Sequence, residues 1–236
     1  DEMAQVVVWA KDNAPELKTA CIHAEYYQYS GGSAVEEVAF GVAAAVEYIR
    51  AMQKRGVDID TAANSIIFSF SIGGDLFMEL AKFRAARMVW CKVAEAFGAG
   101  DEGQKMFIHG RTSTWNKTHV DPWVNMLRVS TEAFSAIVGG VDSIHVGPFD
   151  EIFRQPNEFS RRIARNVQIL LRDEGHLGRV VDPAGGSWYV ESMTSELSEK
   201  IWPLFQEIEG KGGLYKALAQ NFPQDKTAEI AAAKQK

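Results

Sequence analysis

Short apolar runs alternate with longer segments of helical spacing along most of the chain. The runs at residues 19–22, 65–70, 105–109 and 142–146 are short and apolar, and several are rich in branched or aromatic residues, which predicts four buried strands. Each run is followed by a segment whose apolar residues recur three and four positions apart. Because helix-length connections join parallel strands, this alternation predicts four β/α units with a parallel sheet.

Three of the predicted helices begin with recognisable capping residues. Ser33 and Glu36 have the spacing of a capping box, in which each side chain bonds a backbone N–H at the start of the helix. Asp75 can cap the second helix. Asp121 followed by Pro122 predicts the start of the third, because proline fits the first helical position.

The last third of the chain is predicted to be mainly helical. Helices are expected at residues 157–173 and 189–209, the second bent near Pro203 because proline cannot make the helical hydrogen bond. Residues 214–236 are rich in alanine and lysine and are expected to form a tail that frays.

Four parallel β/α units are half of an eight-stranded α/β barrel. The predicted fold class is therefore α/β, with about four parallel units forming half of a TIM-type (β/α)8 barrel, followed by C-terminal helices, within residues 1–213. An open four-stranded α/β sheet is the alternative architecture.

The composition is that of a globular protein and narrows the possible partners. The 236 residues are 46% hydrophobic with a net charge of −6, and this acidic balance argues against nucleic-acid binding. No apolar run of about 18 residues is present, so no membrane span is predicted. Cys21 and Cys91 show neither a zinc spacing nor a disulfide framework, which favours a reducing, cytoplasmic location. The chain opens without an obvious start to a fold and is expected to be a piece of a longer protein.

Polar residues gather where the third and fourth predicted strands end. In a barrel, active-site groups lie at these strand ends. The substrate-pocket candidates are His109, Thr112, Ser113, Ser143 and His145, with no metal site expected. An imidazole can act as an acid, a base or a ligand. The competing interpretation is structural, since polar groups at strand ends also cap loops and helices.

Four sequence motifs carry more specific information than composition or spacing. Each is weak alone, but the four in this order are highly specific. They occupy residues 82–87 (KFRAAR), 121–128 (DPWVNMLR), 159–166 (FSRRIARN) and 182–191 (DPAGGSWYVE). Together they resemble the acyl-CoA mutase family, above all the methylmalonyl-CoA mutases. The resemblance runs from about residue 18 to residue 213.

The resemblance implies an eight-stranded α/β barrel with an acyl-CoA threaded along its axis, of which this chain is the second half. The implied reaction is a radical rearrangement that interconverts methylmalonyl-CoA and succinyl-CoA, with adenosylcobalamin supplying the radical. In the family, a separate C-terminal domain holds cobalamin through a D-x-H-x-x-G motif. This chain lacks that domain, and the string at residues 173–178 has one residue too many between Asp and His.

Several positions depart from the pattern of catalytic members. Glu25 and Tyr26 stand where the family has a Tyr-His pair that faces the substrate. Phe107 and Arg111 replace an arginine and a glutamine near the third strand. The pocket candidates His109, Thr112, Ser113, Ser143 and His145 match family positions. This mixture resembles the small, non-catalytic subunit of heterodimeric mutases, whose partner is a large catalytic subunit.

Two other interpretations stay open at this point. The chain could be part of an active mutase barrel with an altered acyl specificity, using His109 and His145 in its pocket. It could also be a structural α/β module without a ligand. The sequence leaves undecided whether acyl-CoA still binds, which acyl group would be bound, and which chain is the partner.

Overall fold

The computed structural model describes residues 2–234 and contains one sheet of four parallel strands. The strands pair in chain order as β1 (Ala20–His23), β2 (Ile66–Ile72), β3 (Ile108–Thr112) and β4 (Ser143–His145). The predicted α/β class is confirmed, and the four parallel units are consistent with a partial β/α barrel.

Helices surround the sheet and account for most of the remaining residues. They are α1 (Glu2–Asn13), α2 (Glu25–Tyr29), α3 (Ala34–Gln53), α4 (Ile59–Asn64), α5 (Leu76–Ala96), α6 (Asn125–Val138), α7 (Glu158–Ile169), α8 (Trp188–Gly210), α9 (Leu214–Ala219) and α10 (Phe222–Lys234). Within residues 2–234, no helix has the length and apolar character needed to cross a bilayer.

The two faces of the sheet have different surroundings. Ile22, Phe68 and Ile108 lie side by side in register and are buried among the helices. The ring of Phe68 packs edge-on against Trp90 of α5, with the ring centroids 4.8 Å apart. This apolar face forms the main core, and α8 packs across both α3 and α5. Successive residues of a strand point to opposite sides, so polar side chains occupy the other face.

The helix starts bear out two of the three capping predictions. Ser33 caps α3, with its backbone N–H donating to Glu36 Oε2 at 2.8 Å, and Asp75 caps α5 by accepting from the Met78 amide at 3.2 Å. The helix start predicted at Asp121 and Pro122 is confirmed in position, but Asp121 has a left-handed backbone (φ 49°) and its side chain makes no cap hydrogen bond. A short 3₁₀ turn separates it from the start of α6 at Asn125.

The third strand lies three residues later than the sequence pattern predicts. Residues 105–109 were expected to form it, but β3 begins at Ile108 and continues through Gly110 and Arg111. Packing is tight at Gly110, because a Cβ there would lie 3.0 Å from the Ile72 side chain. The end of this strand contains a glycine and an arginine, so a search for runs of apolar residues does not detect it.

Residues 214–234 form two packed helices, which differs from the expectation of a fraying tail. α9 buries Leu214 and Ala217 in the main core, and α10 buries Thr227. At the end of α10, Lys234 Nζ donates to the Gly32 carbonyl at 2.8 Å. The apolar residues of this segment cover the loop that follows β1. This burial stabilises the two helices, although the helical pattern of their sequence is weak.

A Gly31→Ala substitution is expected to destabilise the chain by more than about 1–2 kcal/mol, the cost of a left-handed backbone for a residue with a Cβ. Gly31 has φ 102°, and a Cβ there would lie 2.4 Å from the Ala231 Cβ in α10. Gly56→Ala is the control, since Gly56 has φ 81° and no atom near the added Cβ. Urea unfolding measures both variants. Equal losses would show that α10 does not pack against this turn.

Candidate functional site

The register of the sheet brings three of the five pocket candidates onto one face. His23 of β1, Ser69 of β2, His109 of β3 and Ser143 of β4 are paired in register across the four strands. Arg111 and His145 pair two residues further on. We call the face that carries His23, His109, Arg111, Ser143 and His145 the polar face.

His109 is half-buried and His145 is exposed, and the pKa of each imidazole is lowered. His109 Nδ1 lies 2.8 Å from Ser143 Oγ. Burial lowers the pKa of both imidazoles, and the positive charge of Arg111 lowers the pKa of each further. Both side chains are therefore mainly neutral at pH 7, and each can donate or accept a hydrogen bond.

Thr112 and Ser113 are both buried and hydrogen-bonded within the chain, and Thr112 lies on the apolar side of the sheet. Thr112 is fully buried, and its Oγ1 accepts from the Gly147 amide at 2.8 Å. Ser113 is also buried, and its Oγ donates to Gln28 Oε1 at 2.8 Å. These two hydroxyls join the end of β3 to α2 and to the loop after β4.

Glu25 and Tyr26, the residues that depart from the family pattern, occupy very different environments. The Glu25 residue is only 2% exposed, and its Oε1 lies 2.9 Å from His23 Nδ1. Tyr26 is 58% exposed, and its ring centroid lies 5.6 Å from that of His23. The sequence analysis missed His23, although its place at the end of an apolar strand is the same signal that singled out His109.

The short helix α2 occupies the carboxyl end of the sheet beside the polar face. It packs against β2 and α3 and carries both Glu25 and Tyr29. Burial raises the pKa of the Tyr29 phenol above its usual value, so this hydroxyl stays protonated. Side chains of the chain itself therefore fill part of the region where barrel enzymes bind their substrates.

The remaining two departures, Phe107 and Arg111, lie near opposite ends of β3. Arg111 Nη2 lies 3.4 Å from Glu151 Oε2, in the loop after β4. Burial raises the pKa of Glu151, an effect that the Arg111 charge opposes. Phe107 precedes β3, and Lys18 Nζ lies 5.4 Å from its ring centroid. Only Arg111 can therefore take part in chemistry at the carboxyl end of the sheet.

A buried charge network lies directly behind the end of β2. Lys82 Nζ is 2.9 Å from Glu37 Oε2, 2.5 Å from Glu79 Oε2 and 2.7 Å from the Ser71 carbonyl oxygen. Burial raises the pKa of Glu37, while the Lys82 charge opposes that rise. Because all these groups are buried, the ammonium ties α3, α5 and the end of β2 together.

A second buried ion pair supports the loop after β3. Lys117 Nζ lies 2.6 and 2.7 Å from the two carboxylate oxygens of Glu132, and it donates to the Ser113 carbonyl at 2.8 Å. Asn116 Nδ2 donates to Glu132 Oε1 at 2.7 Å. Burial outweighs the attraction of Lys117 and raises the pKa of Glu132 to about 7.

Neither a cluster of metal ligands nor a well-placed His176 is found in the part of the chain that the structure describes. Among residues 2–234, no group of three or more His, Cys, Asp or Glu side chains could hold a metal ion. His176 lies in an exposed turn with a left-handed backbone (φ 51°), next to an ion pair between Arg172 and Asp173. An imidazole ligand needs a buried, oriented ring, which this turn does not supply.

An Arg111→Gln substitution is expected to raise the pKa of both His109 and His145. The reason is that the guanidinium charge disfavours the protonated form of each imidazole. Titration of the imidazole signals by NMR measures the change. Arg172→Gln, at an exposed pair away from the sheet, is the control. Unchanged values in Arg111→Gln would show that the three side chains do not share one face.

The parallel sheet and its polar carboxyl end define the class of this chain, which is part of a β/α-barrel domain. A family model described as methylmalonyl-CoA mutase matches residues 1–236. The chain therefore belongs to the methylmalonyl-CoA mutase family, as the four sequence motifs indicated.

Individual relatives match almost the whole chain but are much longer than it. The chain is 40% identical to methylmalonyl-CoA mutase of Cereibacter sphaeroides, over 99% of this chain and 33% of that protein. It is 40% identical to the methylmalonyl-CoA mutase small subunit of Streptomyces virginiae, over 99% of this chain and 38% of that subunit. It is 42% identical to the probable methylmalonyl-CoA mutase small subunit of Mycobacterium bovis, over 97% of this chain and 38% of that subunit. The chain thus spans about a third of the length of these relatives.

Proposed function

We propose that this chain is part of the non-catalytic small subunit of a methylmalonyl-CoA mutase. The observation that carries the proposal is the buried Glu25 carboxyl group, hydrogen-bonded to His23, at a position where catalytic members present a neutral tyrosine to the substrate. Relatives named as small subunits support the same assignment.

The chemistry of the polar face supports a loss of catalysis. A radical reaction needs a closed pocket that excludes water and holds a donor at the thioester carbonyl. Tyr26 stands where the family has that donor, but its side chain is exposed and lies beside His23. Glu25 adds a carboxylate, and a methylmalonyl or succinyl group already carries one. Two like charges would face each other in a confined site, which weakens binding.

The complete enzyme would use adenosylcobalamin, which supplies the radical when it is bound. The candidate ligand string at residues 173–178 departs from the family motif, and its His176 lies in an exposed turn, so we assign cobalamin binding to another part of the assembly. We further propose that the partner is a large catalytic subunit in a heterodimer, acting in propionate metabolism in the cytoplasm. Residues 1–213 would supply the second half of the barrel domain and its following helices, with residues 214–234 packed onto them.

One observation favours the second candidate, an active mutase barrel with altered acyl specificity. His109, Ser143 and His145 match family positions, and all three lie on the polar face. The pair formed by His109 and Ser143 leaves the second ring nitrogen of His109 available to a ligand. Turnover of an acyl-CoA by the full-length gene product without a partner subunit would distinguish this candidate from a non-catalytic subunit.

Co-expression tests the subunit assignment. The full-length gene product is expected to co-purify with a tagged large mutase subunit from the same organism at a one-to-one ratio, measured by light scattering. A tagged catalytic chain of a single-subunit mutase is the control and is expected to retain none of it. If the gene product forms only homo-oligomers in the presence of the large subunit, the heterodimer proposal is wrong.

A further inference from the structure

Helix α7 carries three arginines, Arg161, Arg162 and Arg165, whose positive charges are not compensated. All three are exposed, and none makes an ion pair with a carboxylate within residues 2–234. By contrast, Arg84 of α5 is paired with Glu191 at 2.8 Å. In a chain with a net charge of −6, α7 therefore presents a local concentration of positive charge.

Helical spacing places these side chains on the side of α7 that faces away from the rest of the chain. On the inner side, Ala164 is buried in the cluster that contains Val129 of α6. Arg161, Arg165 and Ile169 follow one another at intervals of four residues on the opposite side. The exposed side chains of this surface, which we call the outer face of α7, are Arg161, Arg162, Arg165, Ile169 and Leu170.

A cleft opens on this face at the start of the helix. Its volume is about 520 Å³, and it is lined by Pro156, Asn157, Glu158, Arg161, Arg162 and Arg165. Two amide groups of the first helical turn are already used there, because Asn157 Oδ1 accepts from the Ser160 amide and the Asn157 carbonyl accepts from the Arg161 amide. The guanidinium groups are therefore what the cleft offers to a partner, and each can donate two parallel hydrogen bonds to a carboxylate.

The arginines are placed unfavourably for the chain on its own. Arg161 is the fourth residue of α7 and lies near the positive end of the helix dipole. Arg161 and Arg165 also repel each other, since like charges four residues apart are neighbours on a helix. Glu158 alone among the residues that line the cleft is acidic. Carboxylates supplied by a partner would relieve both unfavourable interactions.

The outer face continues from the arginines into apolar side chains. Ile169 and Leu170 are 41% and 51% exposed at the end of the helix. A small anion such as phosphate would pair with the arginines but leave these side chains in water. A surface that combines arginines with exposed apolar residues is typical of contacts between proteins.

We propose that the outer face of α7 binds an acidic helix of the large catalytic subunit. The proposal rests on the proposed function, which provides that subunit. Two carboxylates one turn apart on the partner helix accept from Arg161 and Arg165, which are themselves one turn apart. An apolar residue one turn further along the partner helix covers Ile169 and Leu170.

The test measures the affinity of the full-length gene product for the large mutase subunit of the same organism by surface plasmon resonance. Arg161→Glu combined with Arg165→Glu is expected to weaken binding about tenfold or more, because like charges then face each other. Glu158→Gln removes the acidic group from the cleft and should tighten binding about twofold. Lys92→Glu combined with Lys200→Glu makes the same charge change at exposed positions of α5 and α8 and should leave the affinity unchanged.

Salt dependence gives a second measurement of the same contact. Raising the NaCl concentration from about 0.1 M to about 1 M shortens the screening length from about 10 Å to about 3 Å. The wild-type association is expected to weaken about tenfold or more over this range. The double arginine variant should weaken about threefold or less, since the attraction that salt screens is already lost.

The outcomes separate this proposal from the proposed function. If the double arginine variant binds the large subunit as tightly as the wild type, the docking surface is wrong and the heterodimer stands. Equal losses in the double arginine and double lysine variants would also overturn the surface, because the effect would then follow net charge alone. Calorimetric binding of inorganic phosphate to the cleft, with subunit affinity unchanged in the variants, would assign a small anion instead. If the wild type does not bind the large subunit, both proposals are wrong.

Discussion

A Lys82→Met variant is expected to lose about 3–5 kcal/mol of unfolding free energy, the cost of removing one partner from a buried ion pair. The ammonium of Lys82 contacts both Glu37 and Glu79, and its side chain is 1% exposed. Methionine fills a similar volume but leaves two carboxylates facing each other in the protein interior. Urea unfolding followed by circular dichroism measures the loss.

Lys92→Met is the matched control for this variant, because Lys92 lies on the same helix, α5, with an exposed side chain. It is expected to change the unfolding free energy by about 0.5 kcal/mol or less. The cost of Lys82→Met should also shrink in acid, since burial raises the pKa of Glu37 and its protonation removes an uncompensated charge. Similar losses in the two variants would show that Lys82 does not hold the end of β2.

A Lys117→Met variant is expected to show a stability loss that grows with pH. In the wild type, burial raises the pKa of Glu132 from 4.5 to about 7. A raised carboxyl pKa contributes stability that is complete below about pH 4.5 and is lost as the pH rises through about 7. Without the Lys117 charge, the pKa of Glu132 rises further, so the variant keeps losing stability above pH 7.

Unfolding free energies at pH 5 and pH 8 measure this effect. The difference between wild type and Lys117→Met is expected to be about 1 kcal/mol at pH 5 and about 2–2.5 kcal/mol at pH 8, because pH 8 is one unit above the wild-type Glu132 pKa and one unit corresponds to about 1.4 kcal/mol. Lys105→Met is the control, since Lys105 forms only an exposed pair with Glu102. A pH-independent difference would show that Glu132 does not depend on Lys117 for its charge.

The strands and most helices could be predicted because local pattern and tertiary packing agree there. The apolar run before residue 73 is buried as predicted, the run before residue 23 forms a strand that alternates between buried and exposed residues, and Ser33 and Asp75 cap their helices. β3 was misplaced because Gly110 and Arg111 lack the apolar pattern that marks a strand. Asp121 was assigned to a cap from its neighbour Pro122, but the backbone there turns left-handed.

The polar face could be predicted only in part, because its members come together through the sheet register. His109, Ser143 and His145 were found from their places at strand ends. The buried contact between Glu37 and Lys82 could not be predicted, because the two residues are 45 positions apart and each alone resembles an exposed charged residue on a helix. Thr112 was assigned to the pocket, whereas the alternation of β3 turns it toward the helices. Pairings of this kind follow from three-dimensional packing and leave no local signal.

The central claim is that this chain has lost catalysis, and turnover by the isolated gene product tests it most directly. The full-length gene product, without a large subunit, is incubated with adenosylcobalamin and methylmalonyl-CoA, and succinyl-CoA is measured by mass spectrometry. The same reaction with the large subunit added is the control for active cofactor and substrate. We expect no succinyl-CoA from the gene product alone, whereas succinyl-CoA formed without the large subunit would contradict the non-catalytic assignment.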